Sequence, residues 1–154
     1  MKTHRINSQT LSTSPQEKGQ SLLEMAFATV VLLILLAGIV DLGRLFFTYV
    51  ALRDAAQEGA VFASVCPPYD PNNLGKISAH IKASSHFPVD LSSNTILIQS
   101  TYTAPAVPGT QIIVTVTETK FNFIMPLIGV FIGSDSISFG ATAKDVALQD
   151  DCPF

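Results

Sequence analysis

The stretch "KGQSLLEMAFATVVLLILLAGIVDLGR", residues 18–44, decides how the rest of the chain is read. Residues 25–40 carry no charge and are apolar on every helical face, as suits a helix surrounded by lipid. That run is slightly short for a span. Leu22 and Leu23 before it and "DLGRLFF" after it bring the helix to bilayer length. A buried core helix is the competing reading, but too little chain remains to enclose it. Lys2, Arg5 and Lys18 precede the span, and Arg44 and Arg53 follow it. This balance favours a cytoplasmic N-terminus.

Composition agrees. The 154 residues are 47% hydrophobic and 14% charged, with mean hydropathy +0.38, too apolar for an ordinary soluble domain. The formal net charge is −3 and the nine Lys and Arg are scattered, so no nucleic-acid footprint is present. Residues 1–19 are polar and rich in Ser, Thr, Gln and Asn, which predicts a disordered cytoplasmic leader.

Outward from the run, "DLGRLFFTYVALRDAAQEGAVFAS" contains no proline and keeps a helical apolar spacing. Leu42, Leu45, Phe46, Tyr49 and Leu52 form one stripe. Ala51, Ala55, Gly59 and Ala63 recur every fourth residue as a ridge of small side chains, expected to pack on the chain's own sheet or to seat a neighbouring helix. Cys66, Pro67 and Pro68 end the helix. One helix over 20–64 would be about 67 Å long, roughly twice a bilayer core. Its outer half must therefore leave the membrane or lie along it.

The fold class expected is α+β: a long N-terminal membrane helix, spanning about 22–42 and continuing outside, then a small extracytoplasmic domain over 65–154. "PPYDPNNLG" reads as a turn-rich loop and residues 76–87 as a short helix, with Ile77 and Ile81 on one face. Residues 94–103, 110–121 and 136–148 read as three antiparallel strands. In the second, Ile112, Val114 and Val116 share one face, while Ile113, Thr115, Thr117 and Thr119 share the other, the pattern of a sheet wetted on one side. In the third, Ile137, Phe139, Ala141 and Ala143 point inward. "FNFIMPLIGVFIG", broken by Pro126, is too short for a second span and reads as a buried or surface-lying connection.

Cys66 and Cys152 straddle this domain. If it is extracytoplasmic they are expected to form a disulfide; in a reducing compartment they would remain two thiols. Asp41 and Arg44, three apart, can face each other at the outer membrane edge or stand as two solvated charges. Gly38 and Gly43 either admit another helix closely or are simply tolerated. Glu58 either bonds a sheet edge or a turn, or is solvated. His80 and His86 are six apart and make a poor metal pair, and no phosphate loop, nucleophile elbow or zinc spacing appears. No catalytic residue, metal or cofactor is expected.

Glu24 remains. At the edge of a membrane helix a carboxylate is either solvated near the positive helix end or needs a cationic partner. Gly19, Gln20, Ser21, Leu22, Leu23 and Glu24 together resemble the processing site of type IV pilin-like precursors. That resemblance implies cleavage by a prepilin peptidase between Gly19 and Gln20, with the apolar helix retained. It also implies that Glu24 pairs with the freed α-amine of a neighbouring subunit. Gln20 and Met25 depart from the residues most common at those places. The longer pattern is similar to TadE-like proteins of the tight-adherence (Flp) pilus system: Gly19 with Glu24, then "GIVDLGR", then "DAAQEGA", with a further likeness in "SISFGATAKDV". The resemblance implies a single-pass protein of the bacterial inner membrane, a minor pilin or pseudopilin. Its partners would be other pilin subunits and the pilus assembly platform, and it would enter a pilus or support its assembly. Separately from the resemblance, Gly38, Asp41, Gly43, Arg44, Ala55, Glu58 and Gly59 are the residues expected at a helix interface. Two other readings stay open: an unprocessed scaffold of an export machine, and an anchored binding module using the Thr-rich sheet face.

Overall fold

A computed structural model describes residues 15–84, 89–103, 105–125 and 128–152. Residues 1–14 of the expected leader, with Lys2 and Arg5, lie outside the described residues, as do His86 and Pro126. The element order is α1 (Pro15–Val65), α2 (Pro71–Ser84), β1 (Ile96–Tyr102), β2 (Gln111–Asn122), α3 (Ile128–Ile132) and β3 (Ser136–Val146). This is the expected α+β class: a long apolar helix followed by a three-stranded antiparallel sheet and short helices.

Helix α1 begins earlier than expected, so residues 15–19 are helical rather than part of a disordered leader. Proline is well suited to a first helical position, where an amide would have no partner inside the helix. The helix ends where expected. The amide of Cys66 closes the last turn on the Phe62 carbonyl (2.9 Å), and Pro67 cannot extend it. The chain divides into one compact unit ending at Ala37 and another beginning at Gly38.

In the first unit the described side chains of α1, residues 19–37, point outward almost without exception. The most apolar 18-residue window of Gly19–Val65 has mean hydropathy 2.6, and none of it is buried. By length and composition this is the one helix among the described residues able to cross a membrane.

In the second unit the outer half of α1 becomes the spine of a core. Leu52, Ala55, Ala56, Ala60 and Ala63 pack with Ile77 and Ile81 of α2, and with Ile112, Val114 and Val116 of β2. The small ridge is what lets the sheet and α2 come close. A Cβ on Gly59 would stand 2.8 Å from Ile81 Cγ1 and 3.1 Å from Val114 Cγ1. The apolar stripe divides: Leu52 joins the core, whereas Leu42, Phe46 and Tyr49 remain exposed.

Helix α2 starts at Pro71, inside the segment expected to be a loop, and is described to Ser84. Asp70 explains the early start. Its Oδ1 accepts the Asn72 amide (2.7 Å), an N-cap preceding proline at the first helical position. The sheet order is β1-β2-β3, antiparallel throughout. The expected faces of β2 and β3 hold: Ile112, Val114 and Val116 are buried, and residues 137, 139, 141 and 143 are the more enclosed set of β3. One extra β2 residue between Glu118 and Phe121 makes a bulge opposite Phe139 and Ile137. Gly140 sits where a Cβ would come within 2.6 Å of the Val116 carbonyl oxygen.

Candidate functional site

Two places on α1 gather the residues that the sequence singles out. The first is the front of the helix. Gly19, Gln20 and Glu24 are all exposed, and nothing lies within 4 Å of where a Gly19 Cβ would stand. Gln20 and Glu24 are one helical turn apart and share a face. A cation at the Gln20 backbone would thus lie close along the helix to the Glu24 carboxylate. Large apolar side chains surround this face: Leu22, Leu23, Met25 and Phe27 are exposed.

The second place lies where the uncharged run ends. Asp41 is only 2% exposed. Its carboxylate accepts the amide of Ile124 at both oxygens (3.0 Å each) and the amide of Met125 at Oδ2 (2.7 Å). Arg44 Nη1 lies 3.3 Å from Asp41 Oδ1 and reaches the Asn122 carbonyl at 3.5 Å. The Arg44 guanidinium also lies over the Phe121 ring, 5.2 Å from its centroid. For Asp41, the reading as a solvated interfacial charge is therefore corrected: it is a buried staple, and its main partners are backbone amides more than eighty residues away. Gly38, one turn earlier, faces Met125, whose Sδ would lie 3.7 Å from an added Cβ. Gly43 faces nothing within 4 Å.

The remaining named residues are separate from these two places. Ala55 and Gly59 face the chain's own core. Glu58 Oε1 lies 3.5 Å from His80 Nε2, and the His80 ring stacks on Phe62. Cys66 and Cys152 are joined in a disulfide whose Cα atoms are 4.1 Å apart. The Leu148 amide donates to the Ser64 carbonyl nearby (2.8 Å), so the C-terminal tail is tied twice to the end of α1. On the outer sheet face Thr115 and Thr142 share a hydrogen bond of 3.0 Å. Among the described residues no group of three or more His, Cys, Asp or Glu side chains stands together to hold a metal.

Sequence reasoning missed Ile124, Met125 and Phe121 as partners of the Asp41 and Arg44 pair. The uncharged segment after β2 was the available signal, but nothing in it points to a residue on α1.

These features define a class: an α+β protein whose three-stranded sheet is built against the outer half of a helix long and apolar enough to cross a membrane. Comparison adds a likeness over part of the chain. Residues 19–61 match the model of the TadE-like protein family, beginning at the glycine and ending among the core-facing turns of α1. No curated protein and no solved structure matches the chain.

Proposed function

We propose that this chain is a TadE-like minor pilin or pseudopilin, a single-pass structural component of tight-adherence pilus assembly. One observation carries the proposal: the family match starts at Gly19, contains Glu24, and runs along a helix whose apolar side chains point outward. The match supports a component associated with that pilus, and the apolar helix is consistent with a membrane anchor. In this reading the prepilin peptidase cuts after Gly19 on the cytoplasmic side. The new Gln20 α-amine is a cation, and Glu24 of an adjacent subunit meets it where their helices pack. A carboxylate in so apolar a setting is costly unless paired, so the pairing also selects the axial register of the helices. The sheet domain lies outside, where an oxidising environment sustains the disulfide between Cys66 and Cys152.

The test is mass spectrometry of the protein extracted from membranes of its own host. A mature N-terminus at Gln20 is expected. An intact leader in piliated cells would sink the processing role and favour an unprocessed scaffold. The variant Glu24→Ala should still be cleaved but should fail to accumulate in sheared pili. Normal incorporation of that variant would remove the pairing role.

A further inference from the structure

In the segment joining β2 to β3, the described apolar side chains are open, and Ile124 and Met125 are held at a particular height on α1. Residues 121–134 contain no charge, and Asp135 is the one charged residue before β3 begins. Within this segment Ile124 is 59% exposed, Val130 79% and Ile132 53%. Elsewhere on a small domain such side chains would be a liability in water. Their height is set by two contacts. Met125 lies against Gly38, and Asp41 holds the amides of Ile124 and Met125. Gly38 belongs to the uncharged run, and Asp41 immediately follows it. A helix that enters the hydrocarbon near Leu22 has crossed it after roughly 20 residues, so these contacts fall in the last turn on the domain side.

We infer that Ile124, Val130 and Ile132, on the two sides of this connection, form a second membrane contact and dip into the outer lipid surface beside the helix. The inference rests on the membrane reading of α1 given above. It also explains Asp41. Non-helical backbone near the hydrocarbon must have its polar groups satisfied by protein. The buried carboxylate does this for the two amides nearest the helix. Arg44, one turn further out, stands at headgroup height with its guanidinium over Phe121, an arrangement that suits a cation at the lipid boundary.

The chain contains no tryptophan, so a single introduced one reports a single place. Full-length Leu33→Trp, Ile124→Trp, Val130→Trp and Tyr102→Trp proteins would be reconstituted into phosphatidylethanolamine and phosphatidylglycerol vesicles. The vesicles would contain phosphatidylcholine brominated either near the glycerol backbone or near the acyl-chain end. Leu33→Trp should lose emission chiefly to the deep bromine. Ile124→Trp and Val130→Trp should lose it chiefly to the shallow bromine, and Tyr102→Trp to neither. If Leu33→Trp is quenched while the 124 and 130 variants behave like Tyr102→Trp, the inference is overturned and the anchor stands. A blue-shifted but unquenched emission at 124 and 130 also overturns it, because a second copy of the chain would then cover the patch. If Leu33→Trp escapes both bromines, the anchor and the inference fall together.

Discussion

Residues 22–37 and residues 52–63 belong to one helix and are both rich in apolar side chains, yet their surroundings are opposite. Leu33 is 60% exposed, whereas Leu52 is fully buried. Hydropathy already separates them, because residues 52–63 include Arg53, Asp54, Gln57 and Glu58 while residues 25–37 carry no charge. Side-chain size around the helix accounts for what each apolar face packs against. The first stretch carries Leu, Val and Ile on all faces and offers no flat side to a sheet. The second sets Ala55, Ala56, Gly59, Ala60 and Ala63 toward β2 and α2, so the backbones can approach and Val114 and Ile81 fill the space. A bulky surface suits fluid lipid; a small ridge suits a fixed protein partner.

The sharpest way to break this comparison is a pair of truncations. Leu52→Ala should destabilise the domain by about 2–5 kcal/mol. Leu33→Ala should leave domain stability unchanged, and weaken membrane insertion by only about 0.5 kcal/mol. Thermal unfolding followed by circular dichroism in detergent micelles separates them, and equal effects on the domain would refute the two environments. Removing the disulfide with Cys66→Ser and Cys152→Ser together should cost about 2–5 kcal/mol in the same assay, because it closes a long loop.

Asp41→Ala should follow, at about 1–3 kcal/mol for each amide it orphans. Asp41→Asn should cost less, since it keeps one acceptor oxygen. Hydrogen exchange at the Ile124 and Met125 amides should quicken in both variants, and unchanged exchange would argue against the staple. The smallest effects come from two glycines of opposite sign. Gly59→Leu must push against Ile81 and Val114 and should destabilise by about 1–3 kcal/mol. Gly43→Ala meets open space and should stabilise the helix by about 0.5–1 kcal/mol.

Periodicity made much of this legible from the sequence. The alternation in β2 and β3 and the small ridge of α1 each repeat several times, so single exceptions do not hide them. The ends of elements were less legible. Asp70 and Pro71 carry both a turn signal and a helix-start signal, and only the Asn72 amide bonded to Asp70 decides between them. The outward turn of Leu42, Phe46 and Tyr49 was hidden because their spacing matches that of a core-facing stripe. The Asp41 staple was least legible, since it joins a side chain to backbone amides far along the chain. Backbone amides carry no sequence signature. Of the candidate site, Gly19, Gln20 and Glu24 were visible through spacing and resemblance, whereas the partners of Asp41 required the fold.

The sheet domain is built on the outer half of α1, and the proposed function puts it on the oxidising side of a membrane crossed by the inner half. Thiol trapping in acid-quenched cells of the native host tests it most directly. Cys66 and Cys152 are expected to resist alkylation until a reductant is added. Alkylation of both thiols without reductant would place the domain in a reducing compartment and contradict it.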